Sequence, residues 1–253
     1  MVKVWMIPIK KPEEIEIIKE GSKITAFILK RVLEKAKPGV RGVELENLAE
    51  SLLEKFKVKA SFKTVKDYPF ALCLSLNEEV VHGLPSKRRF KEGDLLSIDF
   101  GVLYKGFHSD MARTLWVRNQ KPKERFLRVG QEALKKAIGQ ARVGNRVGHI
   151  SQAIQKTVEG AGFSPVKALT GHGVGRRLHE DPQIFCFLQG RIEDTPLLKE
   201  GMVLAIEVMY AQGKGGVRVK KNGWTVVTKD NSLSGHFEDT VVVTKKGPLV
   251  LTK

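Results

Sequence analysis

The sequence predicts an α+β fold in which two similar halves share a central antiparallel sheet and carry their helices outside it. The tripeptide Lys-Glu-Gly occurs at residues 91–93 and 199–201, in each case just before an apolar strand that contains one acid, Asp99 or Glu207. A pair of predicted helices precedes each tripeptide. We infer a single domain over residues 1–253 with a pseudo-twofold axis between its halves. The alternative is a chance match, since this tripeptide is common where strands begin.

Bulk properties narrow the class of protein. The chain has 253 residues and is 42% hydrophobic, which suffices for a substantial core. No run approaches the ~18 apolar residues of a membrane span, and the segment before Lys10 has no apolar core of signal-peptide length. Two cysteines, Cys73 and Cys186, make no disulfide framework. We therefore expect a cytoplasmic protein without membrane contact, and we expect a monomer.

The chain is strongly basic. It has 44 Lys and Arg against 28 Asp and Glu, a net charge of +16, with local clusters at residues 87–91 and 214–221. Such a charge favours a polyanionic partner such as RNA or the ribosome surface. Solubility alone is an equally good explanation.

The helices are predicted from periodicity and end signals. Pro12 and the two acids after it begin the first helix, where a proline and negative charges are favoured. The loops that separate the two members of each helix pair, at residues 36–39 and 141–144, lie 105 residues apart, which supports the repeat. The predicted helices span about residues 12–37, 44–56, 123–141 and 147–160.

Apolar runs between turn residues predict the strands. In the first half, strands are expected at residues 61–65, 71–76, 95–103 and 107–117. In the second half, they are expected at residues 202–209 and 237–244. Each half then contains a histidine, a strand carboxylate and a later carboxylate in the same order. They are His82, Asp99 and Asp110 in the first half and His172, Glu207 and Glu238 in the second, where 18 more residues separate the histidine from the strand acid.

Asp99 and Asp110 lie in the two strands of one predicted hairpin. The pair 105–106, Lys-Gly, suits a two-residue turn, so that Asp99 opposes Ala112 and Asp110 opposes Gly101. The two acids are then diagonal neighbours on one face, about 7–8 Å apart at the backbone. Two buried carboxylates this close repel unless a cation lies between them. The alternatives are a protonated pair, or a shifted register with Asp110 in solvent.

The pseudo-twofold axis brings four strand carboxylates to the centre: Asp99, Asp110, Glu207 and Glu238. Four buried carboxylates need about two divalent cations for charge balance. Oxygen ligands with one or two imidazoles suit cobalt, manganese, iron or zinc. Spacing alone does not settle which of three candidate histidines binds metal: His82, His172 and His179.

These residues resemble the type I methionine aminopeptidases in their compact bacterial form, which have the pita-bread fold. The resemblance covers about residues 15–244 and rests on the motifs around residues 77–83, 99–110, 171–180, 206–207 and 238–240. It implies five metal ligands: Asp99, Asp110, His172, Glu207 and Glu238. Of these, Asp110 and Glu238 would bridge two ions.

The resemblance also implies a reaction, the removal of N-terminal methionine from nascent proteins by attack of a hydroxide that bridges the ions. His179 would hydrogen-bond the scissile carbonyl, His82 would contact the leaving nitrogen, and Glu207 would act as general base. The methionine pocket would be lined by Tyr68, Cys73 and Trp224. A small second residue is expected in the substrate.

Three positions depart from the usual pattern of this family. Leu178 replaces an aromatic residue, Val208 replaces a proline, and His236 replaces a glutamine and has no assigned role. Two rival functions stay open. One is an aminopeptidase of the same fold that cleaves before proline, although such relatives usually carry an additional N-terminal domain. The other is an inactive relative that binds RNA or the ribosome, although such proteins typically lose metal ligands. Dinucleotide binding by the glycines at 171–175 is a weak alternative, because the G-x-G-x-x-G spacing is missing.

Overall fold

The computed structural model describes residues 7–118 and 125–253. Within these ranges the chain forms four α-helices, thirteen strands and two short 3-10 turns. The helices are α1 (Pro12–Lys35), α2 (Gly42–Phe56), α3 (Arg125–Gly139) and α4 (Val147–Gly160). The strands are β1 (Lys59–Ala60), β2 (Leu72–Leu76), β3 (Glu79–Val81), β4 (Leu95–Tyr104), β5 (Phe107–Trp116), β6 (Ser164–Pro165), β7 (Thr170–Gly173), β8 (Glu180–Phe185), β9 (Val203–Ala211), β10 (Val217–Val219), β11 (Val226–Thr228), β12 (Ser234–Thr244) and β13 (Gly247–Val250).

One antiparallel sheet of ten strands organises the molecule. Its main path is β1-β4-β5-β12-β9-β7-β8, while β2 pairs with β4, β6 with β9 and β13 with β12. Strands β3, β10 and β11 form a smaller second sheet. The first-half strands β4 and β5 meet the second-half strands β12 and β9 in the middle, as the predicted pseudo-twofold axis requires. The seam between β5 and β12 is short, with Glu238 opposite Ala112 and Asp239 opposite Met111.

Backbone hydrogen bonds repeat between the halves. In the first half, the amide of Gly39 in the helix–helix loop donates to the carbonyl of Phe90 over 2.8 Å. In the second half, the amide of Gly144 donates to the carbonyl of Leu198 over 3.3 Å. These glycines are 105 residues apart and the acceptors are 108 residues apart, which are the two offsets found in the sequence.

The two Lys-Glu-Gly tripeptides also have the same conformation. Gly93 and Gly201 both have φ of +84°, a left-handed backbone that glycine adopts without steric cost. The amide of Gly93 donates to Val117, and that of Gly201 donates to Val243. The tripeptide is therefore a repeated turn that leads into the strand carrying the acid, and its recurrence is structural.

Each half packs its helices against its own strands. The apolar stripes of α1 and α2 bury Ile28, Leu29, Val32, Leu45 and Ala49 against β2 and β4. The matching stripes of α3 and α4 bury Ala133, Ala137, Ile150, Ile154 and Val158 against the second-half strands. The central sheet with outer helices is the predicted α+β architecture.

Several parts of the predicted layout differ from the structure, and short strands such as β3 and β13 were not predicted. Residues 61–65 are not a strand, because Phe62–Thr64 forms a 3-10 turn that buries the Phe62 side chain beside Tyr68. The second-half strands β7 and β8 were not predicted, since the glycines of β7 resemble a loop in sequence. The first two residues of the predicted helix 123–141 lie outside the described residues. None of the described helices is both long enough and apolar enough to cross a membrane.

Candidate metal centre

The β4–β5 hairpin has the predicted register. Lys105 and Gly106 form the two-residue turn, both with positive φ, as in a type I′ turn. Asp99 lies opposite Ala112, and Asp110 lies opposite Gly101. Both acids are buried and line one cavity of about 670 Å³. The first half thus delivers two carboxylates from one rigid hairpin.

The second half delivers its acids from two neighbouring strands. Glu207 on β9 and Glu238 on β12 lie directly opposite one another. His172 on β7 pairs with Ala205, and its Nε2 is 4.0 Å from Oδ2 of Asp110. One ligand atom each from Asp110, His172 and Glu238 fall within 4.8 Å of one another, a spacing that suits a shared metal ion. The five predicted ligands all line the same cavity.

The electrostatics of this cluster call for a cation. Burial, with Glu207 nearby, raises the pKa of Asp110 to about 8. Burial and the Asp110 carboxylate raise the pKa values of Asp99 and Glu238 as well. Oδ1 of Asp99 and Oε1 of Glu238 are buried without a hydrogen-bond partner among the described residues. Buried carboxylate oxygens without a hydrogen-bond donor would be stabilised by a divalent ion. The oxygen and nitrogen atoms gathered here therefore fit metal binding.

His82 and His179 also reach the cavity, as predicted, and lie beside the carboxylates. The rings of His179 and His172 are 4.5 Å apart in an edge-on arrangement. Burial and the neighbouring His172 imidazole lower the pKa of His179 to about 4, and burial lowers that of His82. Both imidazoles are therefore neutral at pH 7 and can each donate one N–H.

A buried ion pair supports the segment that carries His179. Nζ of Lys10 donates to Oε2 of Glu180 over 2.6 Å, and the amide of Arg177 donates to Oε1 of the same carboxylate over 3.1 Å. The chain on both sides of His179 is thereby tied to the N-terminal segment. The sequence did not predict this support, because 170 residues separate the two charges.

Comparison with known proteins identifies the family to which this fold and metal centre belong. The model of Metallopeptidase family M24 matches residues 16–245. A methionine aminopeptidase of Clostridium perfringens is 43% identical over 248 residues, 98% of this chain and 99% of that protein. The crystal structure of a methionine aminopeptidase from Thermotoga maritima is 44% identical with a TM-score of 0.94, and the match covers 98% of this chain and 100% of the other.

The chain belongs to the methionine aminopeptidases of metallopeptidase family M24. This family assignment makes it a metal-dependent exopeptidase with the pita-bread fold, as the sequence motifs predicted. The prolidase of Pyrococcus furiosus shares the fold at a TM-score of 0.76, but it is 28% identical and only 65% of it is covered. Identity and coverage both favour the methionine aminopeptidases over the proline-specific rival.

The predicted methionine pocket is apolar and adjoins the acids. Tyr68, Cys73 and Leu178 are buried together with Phe62, and Trp224 packs against them. The rings of Tyr68 and Trp224 are 5.0 Å apart. Cys73 lies opposite Asp99 across the β2–β4 pair, so the pocket begins at the carboxylates. Leu178, one of the three positions that the sequence set apart, is thus part of the pocket wall.

The strand pairing also refines the correspondence between the halves. Ser75 pairs with Ser97, and His172 pairs with Ala205, which is 108 residues beyond Ser97. The first-half counterpart of His172 is therefore Ser75. The sequence had suggested His82 instead, and that prediction is wrong. Ser75 precedes its strand acid by 24 residues and His172 by 35, so the second half carries 11 extra residues here instead of 18.

His236 is the residue at the centre to which the sequence assigned no role. It is buried on β12, lines the cavity, and its Nε2 is 3.0 Å from Oε2 of Glu207. The departure from glutamine was the only signal in the sequence. The position two residues before Glu238 places His236 on the same face of the strand as that acid.

Proposed function

We propose that this chain removes the N-terminal methionine from nascent polypeptides and prefers a small second residue. The observation that carries the proposal is the convergence of five ligand-type side chains on a cavity whose adjoining wall is apolar. Metal held by these side chains would put the reaction at one end of the cavity, and the apolar wall would select the substrate side chain beside it. The activity named for the bacterial relatives agrees with this arrangement.

We propose that two divalent ions, cobalt, manganese, iron or zinc, are held by Asp99, Asp110, His172, Glu207 and Glu238. Asp110 and Glu238 come from the two strands that meet at the seam, which suits residues that bridge both ions. Bound ions would supply Lewis acidity and lower the pKa of a water, so that a nucleophile is available at neutral pH. A free α-amine would also be a ligand, which explains why cleavage is restricted to chain ends.

The remaining side chains position substrate and protons. Glu207 would accept the proton of the attacking water and pass it to the leaving amine. The neutral imidazole of His179 would donate its N–H to the carbonyl oxygen as negative charge develops there. His82 would contact the nitrogen that leaves. The pKa of His179, lowered to about 4, keeps its imidazole in this neutral donor form through neutral pH.

The apolar pocket would bind the methionine side chain. The rings of Tyr68 and Trp224 pack edge to face against one another, and burial raises the pKa of the Cys73 thiol so that it stays uncharged. A thioether packs favourably against ring edges and a polarisable sulfur. The hydroxyl of Tyr68 donates to the Leu72 carbonyl over 2.8 Å and lies 3.1 Å from Sγ of Cys73, so both polar groups of the pocket wall have partners within the protein.

We further propose that the chain acts as one catalytic domain, a monomer in the cytoplasm, with its basic surface facing the ribosome. The net charge of +16 supports the last point. Salt-dependent cosedimentation with ribosomes tests it, and no cosedimentation at low salt would refute it. Light scattering of the purified chain tests the proposed monomer, because it measures the molar mass in solution, which should be 28.3 kDa.

Peptide hydrolysis after chelation and metal add-back tests the main proposal. We expect methionine release from Met-Gly and Met-Ala peptides, little from Met-Lys peptides, and none from Xaa-Pro peptides. The activity should disappear with chelator and return with a divalent ion. Cleavage without metal, or a preference for Xaa-Pro peptides, would contradict the proposal.

A further inference from the structure

His236 occupies the position in the second half that Asp110 occupies in the first. Asp110 lies opposite Gly101 on β4. His236 lies opposite Met209 on β9, and Met209 is 108 residues beyond Gly101, the same offset that relates Asp99 to Glu207. The sequence suggested Glu238 as the counterpart of Asp110. Strand register shows instead that Glu238 corresponds to Ala112, because these two lie opposite Glu207 and Asp99 respectively.

The hydrogen bonds around the two positions confirm this correspondence. Oγ1 of Thr240 accepts from the amide of Asp110 over 2.9 Å and donates to its carbonyl over 2.8 Å. Oγ1 of Thr114 accepts from the amide of His236 over 2.8 Å and donates to its carbonyl over 2.8 Å. Each half thus uses a threonine to fix the backbone of the equivalent residue in the other half. The side chains of Asp110 and His236 consequently enter the cavity from symmetric places.

The contacts of the His236 ring match those of a metal ligand. Nε2 is 3.0 Å from Oε2 of Glu207 and 3.6 Å from Oε2 of Glu238. Two atoms that each bind one ion at about 2.1 Å are about 3.0 to 3.6 Å apart for angles of 90° to 120°. Yet neither ring nitrogen of His236 makes a hydrogen bond within the described part of the chain. A buried imidazole that is close to two carboxylates without bonding to either is placed for a shared ion.

We propose that His236 is a further protein ligand of the metal centre and binds, through Nε2, the ion that Glu207 and Glu238 hold. The inference deepens the proposed function, since it adds one residue to the same centre. The second half would then contribute two imidazoles, one from β7 and one from β12, while the first half contributes carboxylates alone. A neutral imidazole adds an N ligand without adding to the negative charge of four carboxylates, which suits zinc, iron or cobalt better than magnesium or calcium.

Counting coordinated imidazoles tests the proposal without relying on activity. Electron spin echo spectroscopy of the chain loaded with Mn²⁺ to saturation should detect two coordinated histidine nitrogens, from His172 and His236. His236→Gln should reduce the number of coordinated nitrogens to one. It should also weaken Mn²⁺ binding by more than about tenfold, which is the smallest usual cost of losing a residue that only supports a ligand. His149→Gln, on α4 and outside the centre, is the matched control and should retain both nitrogens.

A positioning role for His236 gives a different result. If the ring only orients Glu207, the unaltered chain shows one coordinated nitrogen and His236→Gln leaves that number unchanged, which would overturn the proposal. Crystals of the unaltered chain soaked in Mn²⁺ need no variant, and an anomalous peak within about 2.4 Å of Nε2 is expected. A chain that binds metal and releases methionine with the ion out of reach of Nε2 would refute this inference alone. A chain that binds no metal would refute the proposed function with it.

Discussion

The two halves of the molecule share a backbone plan but differ in the chemistry they bring to the centre. The first half presents Asp99 and Asp110, two short acids set diagonally on one hairpin. The second half presents Glu207 and Glu238 directly opposite one another, with His236 beside them. Directly opposed side chains are about 4.5–5.5 Å apart at Cβ, closer than diagonal ones, so the two acids of the second half start closer together than those of the first.

The difference teaches that symmetry of backbone and symmetry of function are separate properties. Register and turn geometry fix where each side chain enters the cavity. What enters is then free to differ, because neither half has to repeat the other. The first half also contributes most of the apolar pocket, and the second half contributes the adjacent imidazoles of His172 and His179, whose rings are 4.5 Å apart.

The largest expected effect comes from removing one seam acid from either half. Asp110→Asn and Glu238→Gln each delete a charge at a proposed bridging position and keep the shape of the side chain. The loss of a residue that only hydrogen-bonds a metal ligand costs about 10–100-fold in metal affinity, so we expect the loss of a ligand itself to cost more than about 100-fold in affinity and in kcat/KM. Calorimetric titration with Mn²⁺ and Met-Ala-peptide kinetics measure both quantities.

Equal losses in the two variants would show that both halves are needed at the seam. Full activity in either variant would contradict the bridging assignment of that residue. Glu193→Gln is the control, since Glu193 is exposed in a 3-10 turn outside the cavity.

The next effect concerns His179, the second-half imidazole that is proposed to contact the substrate carbonyl. His179→Ala should lower kcat about 10²–10³-fold, the usual cost of losing one donor to a developing oxyanion. Metal content should stay unchanged, because His179 is not among the proposed ligands. His82→Ala should reduce kcat less. A loss of bound metal in His179→Ala would instead indicate that His179 is a metal ligand.

A third prediction compares buried polar groups on equivalent helices. Glu46 on α2 accepts the amides of Ala71 and Leu72 over 2.7 and 3.0 Å, whereas the second half buries Ser151 at the matching position. Burial raises the pKa of Glu46 from 4.5 to about 7. The unfolded chain therefore releases this proton at lower pH than the folded chain, and the stability contribution of Glu46 falls as pH rises from 4.5 to 7.

Urea unfolding of the unaltered chain and of Glu46→Gln between pH 5 and 8 tests this pH dependence. The stability advantage of the unaltered chain over the variant should shrink with rising pH, by at most about 3 kcal/mol. The exposed Glu54→Gln on the same helix should show no such trend. A difference that stays constant with pH would show that Glu46 does not titrate in this range.

The smallest effect separates the two repeated turns. Gly93→Ala and Gly201→Ala each force a side chain into left-handed backbone, at a cost of about 1–2 kcal/mol. A Cβ at Gly93 meets nothing within 4 Å, but one at Gly201 lies 2.8 Å from the carbonyl oxygen of Lys10. Gly201→Ala should therefore be less stable than Gly93→Ala in urea. Equal stabilities would mean that the N-terminal segment yields without cost.

Much of the centre was predictable because local turns fix strand register. A two-residue turn at Lys105 and Gly106 sets every pair in the β4–β5 hairpin, including the positions of Asp99 and Asp110. The Lys-Glu-Gly repeat then located the second strand acid. The family, the fold and the metal-dependent activity followed from these motifs, and the individual residue roles stay predictions.

The features missed in sequence depend on contacts between distant segments. The partnership of Lys10 with Glu180 spans 170 residues and leaves no periodic signal. The role of His236 depends on the register between β9 and β12, which no short turn determines. The segment 61–65 has the composition of a strand, but burial of Phe62 in the pocket favours a 3-10 turn.

The reciprocal threonine contacts across the seam have the form of an isologous interface, in which residue i of one copy touches j of the other and the reverse. A homodimer with that interface can change its ligands only in pairs, because both copies have one sequence. Joined in a single chain, the two copies can be altered one at a time. Asp110 and His236 occupy one such pair of equivalent positions. Thr240 and Thr114 hold their backbones in the same way, but the first half places a carboxylate there and the second half an imidazole.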